Sequence, residues 1–180
     1  MKKAFEKYFQ KLDALYDKHF STLPTVTYSD QLNKSLLVSE PDEDGEVQWK
    51  PQEQTDPIEW ESIEKELGFS VCDELKAYYS AYFFLMMSGK IGDRLLNFYP
   101  IGATEPVQKS IDRNYHDAQY FFPETQIFIL GNAKVGDDDN YFICYDNAEN
   151  KLFCYESVTH EQIPLSDSIS QTIDSMEACL

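Results

Sequence analysis

Two apolar runs, Tyr141-Phe142-Ile143-Cys144-Tyr145 and Leu152-Phe153-Cys154-Tyr155, flank the segment Asp146-Asn147-Ala148-Glu149-Asn150. Aromatic and β-branched residues on either side of a short Asp/Asn loop predict a β-hairpin. A hairpin is antiparallel by construction, so the second half of the chain is committed to an antiparallel sheet. Gln126-Ile127-Phe128-Ile129-Leu130 reads as a buried strand of that sheet, and Leu95-Leu96-Asn97-Phe98-Tyr99 as another.

Elsewhere the periodicity is mostly helical. Over residues 4–20, Phe5, Tyr8, Phe9, Leu12, Leu15, Tyr16 and His19 recur at spacings of three and four, one apolar stripe of an amphipathic helix. Pro24 disfavours helical backbone in Leu23 and ends it. Asp56-Pro57-Ile58-Glu59 predicts a second helix with Asp56 as N-cap and Pro57 at the first position, stopped by Gly68. A third is expected from Ser70 to Ser88-Gly89, carried by Val71, Leu75, Tyr78, Tyr79, Tyr82, Phe83 and Met86 and apolar enough to be the most buried. A fourth runs from Thr104 to Tyr120, and a last opens at Ser166 with Ile169, Ile173 and Met176 on one face. Leu36-Leu37-Val38 and Glu46 to Pro51, separated by a Pro/Asp/Gly loop, predict a further hairpin. The expected fold is α+β, an antiparallel sheet flanked by helices. It is expected as a single domain over 1–180, with an amphipathic helix at 1–23, a helix pair and sheet at 24–165, and a C-terminal helix at 166–180.

Charge narrows the partners. The 180 residues hold 15 Lys and Arg against 32 Asp and Glu, a net charge of -17. Binding nucleic acid requires basic side chains that displace phosphate counterions, so nucleic acid is excluded as a direct partner. An anionic membrane surface is unsuitable for the same reason. The longest apolar run, Ala81 to Met87, is far short of the roughly 20 residues a spanning helix needs, so no membrane insertion is expected. No uninterrupted apolar stretch follows Lys2 and Lys3, which argues against a secretory signal and for the cytoplasm. Cys72, Cys144, Cys154 and Cys179 lack CxxC spacing and read as buried free thiols.

The acids are unevenly spread. Between Glu40 and Glu74 there are thirteen against Lys50 and Lys65, whereas residues 1–23 carry five lysines against three acids. Such a run is either a solvated face or a surface that attracts a basic protein. The exposed loop carboxylates Asp42, Glu43, Asp44, Asp137, Asp138 and Asp139 are the candidate partner contacts.

No residues spell out catalysis. GxSxG, GxxxxGK[ST], HExxH and GxGxxG are all missing. A nucleophilic dyad would have to recruit His19, His116 or His160, and nothing in the sequence brings a serine or cysteine to any of them. Gly136-Asp137-Asp138-Asp139-Asn140 invites a calcium reading, but counting from Asp137 puts Phe142 at the sixth position and Ala148 at the twelfth. An EF-hand loop needs Gly and Glu there, so the segment reads as an acidic turn, with weak divalent binding as the alternative. The expectation is a non-catalytic chain with no cofactor and no metal.

Ile63-Glu64-Lys65-Glu66-Leu67-Gly68, Asp73-Glu74-Leu75-Lys76-Ala77-Tyr78-Tyr79 and Ser88-Gly89 resemble the helix pair that opens SUKH-superfamily domains. Ile127 to Gly131, Gly136 to Asp146 and Lys151 to Tyr155 are similar to the strand, acidic-glycine turn and hairpin of the same superfamily. The length, the N-terminal amphipathic helix and Val47-Gln48-Trp49-Lys50-Pro51-Gln52 resemble its Syd-like branch. The resemblance implies one of two binding roles. Many members are immunity proteins that bind and block a cognate bacterial toxin, often a nuclease; Syd itself binds basic cytoplasmic loops of the SecY channel at the inner membrane. Between Tyr99 and Phe122, and in the C-terminal segment, the sequence departs from the Syd pattern, which suits an immunity protein shaped to one toxin.

Overall fold

Helix α1 spans Lys2–Phe20 and buries the stripe Phe5, Tyr8, Phe9, Leu12 and Tyr16, while His19 stands exposed at its end. The computed structural model describes all of residues 1–180. Ser21 closes α1 in the left-handed region, and two short strands follow out of register with the sequence expectation. Strand β2 (Glu46–Gln48) pairs with β1 (Thr25–Thr27), a strand too short to show alternation in the sequence. The expected Leu36–Val38 partner makes only the Leu37–Trp49 bridge beside it, because Lys34–Leu36 winds into a single 3-10 turn.

After β3 (Gln52–Glu53), α2 covers Trp60–Leu67 and α3 covers Asp73–Tyr79. Gly68 ends α2 at φ 80°, as its lack of a Cβ allows. Asp56 is not the N-cap: the helix begins behind Glu59, since Trp60 N–H already folds back on Ile58 O at 2.9 Å. The third helix is also shorter than its stripe. It stops at Tyr79, and the apolar run continues as β4 (Tyr82–Phe83) and β5 (Met87–Ile91). A run of aromatics suits either geometry; here pairing with β3 and the Phe84–Ile101 bridge select the extended one.

The chain then alternates β6 (Arg94–Phe98), α4 (Val107–Gln119), β7 (Ile127–Val135), β8 (Asp138–Asp146), β9 (Lys151–Glu156) and β10 (Gln162–Ser166). It adds α5 (Ile169–Ser175), capped by the Ser168 side chain, and a short β11 (Glu177–Ala178). The C-terminal segment is therefore a helix plus an edge strand. Seven strands form one antiparallel sheet in the order β10-β9-β8-β7-β6-β5-β11. It is an α+β fold, and the sheet curls enough for Arg94 Nη1 on β6 to donate to Pro164 O on β10 at 2.8 Å.

Each face of the sheet carries a core. Leu96, Phe98, Phe128, Leu130, Ala133, Tyr141, Ile143, Tyr145, Leu152 and Cys154 turn toward α1, α3 and α5 in the main core. The alternate residues Ile127, Ile129, Cys144, Phe153 and Tyr155 form a smaller core with Ala118 and Phe122 at the end of α4. A register shift at Leu130, between Ile129 and Gly131, moves the alternation of β7 by one residue, so Phe128, Leu130 and Ala133 all face the main core. At Gly131 a Cβ would stand 2.8 Å from the Phe98 Cα, which explains the glycine. Tyr8 fastens α1 to the sheet, its hydroxyl donating to Ser88 O and accepting from Ser88 N–H, each at 2.8 Å.

Candidate interaction surface

The two acidic turns are each held by hydrogen bonds of their own. Asp42 Oδ1 accepts the N–H of Asp44 at 3.0 Å and of Glu46 at 2.9 Å, and Gly45 completes the turn at φ 78°. At the β7–β8 tip, Gly136 takes φ 59° and donates to Asp93 O at 3.2 Å. Asp138 Oδ1 there accepts both the backbone and the side-chain N–H of Asn140, each at 2.9 Å. All six candidate residues are exposed. They divide by role: Asp42 and Asp138 each commit an oxygen to holding a turn, while Glu43, Asp44, Asp137 and Asp139 have no hydrogen-bond or ion-pair partner for their carboxylates. No hydrogen bond, ion pair or cleft links one turn to the other.

Several acids of the 40–74 run work inside the fold instead. Glu53 pairs with Lys2, and Glu64 pairs with Lys76 at 2.7 Å while accepting Val71 N–H at 2.8 Å. Those two partners, the ammonium first, hold Glu64 below the usual carboxylate range. Glu74 accepts the Tyr145 hydroxyl at 3.0 Å. Glu40, Asp56, Glu59, Glu61, Glu66 and Asp73 of the same run remain exposed, with no partner for their carboxylates.

The largest cleft, about 590 Å³, lies between the β8–β9 turn and β10. Asp146, Glu149 and Asp167 line it with Lys151, which is bound to Glu149 at 2.9 Å. It holds no histidine and no cysteine. Elsewhere, His160 Nδ1 meets the Tyr155 hydroxyl at 2.6 Å, and the His116 ring packs on Tyr115. No three or more of His, Cys, Asp and Glu converge as metal ligands. Among the cysteines, Cys144 and Cys154 are buried, whereas Cys72 and Cys179 are only partly so, correcting the expectation for those two. Burial pushes the Cys154 thiol up to about 11, and the Cys144 thiol higher still.

A second recess, about 320 Å³, opens at the C-terminal end of α4 and was not foreseen from sequence. Tyr99, Tyr120, Phe121 and Phe142 line it together with Asp117 and His116. Tyr120 is 86% exposed, unusual for a large aromatic side chain. Its ring stands edge-on to Phe121 with centroids 4.9 Å apart, and Phe121 lies 5.1 Å from Phe142. Burial, then the Asp117 carboxylate, pushes the Tyr99 phenol up, and its hydroxyl is held by Asn132 Oδ1 at 3.0 Å. The sequence signal was Tyr120-Phe121-Phe122 at a helix end: successive side chains there diverge by about 100°, so three in a row cannot share one core.

An acidic α+β domain with hydrogen-bonded carboxylate turns and an exposed aromatic recess has the make-up of a protein-binding module. The family model described as Syd protein (SUKH-2) matches residues 2–99, more than half of the chain. The chain belongs to the Syd (SUKH-2) family, within the SUKH superfamily, and this membership supports a protein-binding role. The match covers α1 through β6, and α4 with the remaining strands lies beyond it. No curated protein matches the chain in sequence. No helix is long and apolar enough to cross a membrane.

Proposed function

We propose that this protein is a non-catalytic immunity module that binds and occludes a basic bacterial toxin domain. The observation that carries the reading is the set of unpaired, exposed carboxylates at Glu43, Asp44, Asp137 and Asp139, held on hydrogen-bonded turns in a chain of net charge -17. A toxin that acts on nucleic acid carries Lys and Arg to meet phosphates. An acidic binder competes for those same side chains, and its field speeds encounter while disfavouring acidic bystanders. The cytoplasm is where such a binder would meet its toxin.

A second reading is a Syd-type protein that binds basic cytoplasmic loops of SecY, with peripheral contact at the inner membrane. The family match over residues 2–99 favours it. Tagged protein used to capture partners at low salt, followed by mass spectrometry, separates the two. Stoichiometric recovery of a toxin domain that loses its activity on mixing with the pure protein supports the immunity reading. Recovery of SecY supports the second, and recovery of neither overturns both.

A further inference from the structure

The geometry points to the recess at the end of α4 as a seat for a cationic side chain, arginine or lysine, of the basic protein partner. The inference rests on the binding reading above and locates its anchor. Four rings, Tyr99, Tyr120, Phe121 and Phe142, come from β6's end, α4's end and β8 to line one shallow hollow of about 320 Å³. Aromatic faces attract ammonium and guanidinium groups within about 6 Å of their centroids.

Two independent features give the hollow a negative sign. Asp117 lines it, and its carboxylate has no hydrogen-bond or ion-pair partner. The hollow also lies at the C-terminus of the 13-residue α4, the end of a helix that carries partial negative charge. His116 is the one basic residue in the last turn of α4 and in the lining, with no Lys or Arg beside it, and Arg113, one turn back, is bound to Glu105. An apolar ligand would leave Asp117 uncompensated, and an anion would be repelled. A guanidinium stacked on Tyr120 and reaching Asp117 satisfies both the rings and the charge. Tyr and Arg are also the residues that most often anchor interfaces.

The test uses the intact protein at low salt with a Gly-Arg octapeptide, and as control the same peptide carrying citrulline, which is neutral. Saturable shifts in the ring resonances of Tyr99, Tyr120, Phe121 and Phe142 with the arginine peptide alone are the expected result. Tyr120→Ala and Asp117→Asn, both at exposed positions, should each weaken that binding by about two- to fivefold. A double change of Glu43→Gln and Asp44→Asn should leave the ring shifts in place. Equal shifts with the citrulline peptide overturn the inference. Shifts confined to the amides of residues 43–44 and 137–139 overturn the recess but leave the basic-partner reading standing. No saturable binding at any surface overturns the recess as well, and the capture experiment then decides the wider reading by itself.

Discussion

The carboxamide of Asn147 fastens the β8–β9 turn to the start of α3: its Oδ1 accepts Cys72 N–H at 2.7 Å, and its Nδ2 donates to Ser70 O at 2.9 Å. One buried side chain thus joins the part of the chain matched by the family model to the part beyond it. Nδ2 also donates to Gln126 Oε1 at 2.8 Å, so Asn147→Ala leaves one donor and two acceptors unpaired, at a cost of about 2–4 kcal/mol. Thermal unfolding should show a midpoint lowered by on the order of 10 °C. A loss of under about 1 °C would mean that water replaces all three bonds.

Gly131→Ala tests the close approach of β7 to β6. The new Cβ would meet Asn97 O and stand 2.8 Å from the Phe98 Cα, and neither backbone atom can swing away as a flexible side chain would. Separation of the two central strands should cost about 3 kcal/mol or more, read as a collapse of the urea midpoint or as insoluble protein. Gly92→Ala makes a useful control: it adds only left-handed strain, with nothing within 4 Å of its Cβ.

Acid stability should depend on three carboxylates held low in the fold, of which Asp174, paired with Lys7 in solvent, counts least. Glu156 is held below its usual range by Thr159 and then by Val158, whose N–H lies 2.8 Å from Oε2; Glu64 is held low by Lys76 and Val71. In each case the folded pKa lies below the unfolded one, so the unfolded chain binds more protons in the window between them. Their contribution is full above the unfolded value of about 4.3 and is lost as pH falls through the folded values. Glu156→Gln should therefore lower the urea midpoint near neutral pH and flatten its acid limb. Asp13 is raised by burial and works in the opposite sense, costing stability as pH rises, so the advantage of Asp13→Asn over the parent should grow with pH.

Thiol labelling should divide the cysteines in two. Cys72 and Cys179 are partly exposed and should react with an aromatic disulfide reagent in the native protein. Cys144 and Cys154 are buried, with their thiols pushed up, and should wait for denaturant. Four fast thiols in native buffer would contradict the two-sided packing of β8 and β9.

Charge reversal at Glu43 and Asp44 to Lys leaves Asp42 to hold its turn. With a captured basic partner, the association rate should fall several-fold at low salt and recover toward the parent value as salt rises, with a smaller change in dissociation. Reversal of Asp42 itself would confuse the result, because it removes the bonds to Asp44 and Glu46 N–H.

The elements legible in the sequence were those with chemistry concentrated locally. Tyr141 to Tyr155 announced its hairpin through flanking strands and an Asp/Asn turn, and Gly68 marked the end of α2. Ala81 to Met87 misled because aromatic residues at helical spacing also fit a strand, and pairing partners at Gln52 and Ile101 are remote in sequence. The carboxylate turns were visible because Asp and Gly write their own turn geometry. The aromatic recess was not, because Tyr99, Phe121 and Phe142 meet only after the sheet has curled and α4 has crossed it.

Helix α1 is made early, yet one set of its partners, α5 and β11, comes last. Lys7 binds Asp174 at 2.7 Å, and Lys11 reaches Asp174 O and Met176 O, each at 2.8 Å. During synthesis Phe5 and Phe9 can meet Trp49, Tyr78, Tyr82 and Phe84 early, but the side of the helix that carries Lys7 and Lys11 must wait uncovered until residue 176 has left the ribosome. Closing so long a loop is slow, and an amphipathic helix left open in the meantime is what chaperones bind. Ribosomes stalled anywhere before α5 should carry nascent chains that a protease cuts freely, with protection arriving in one step.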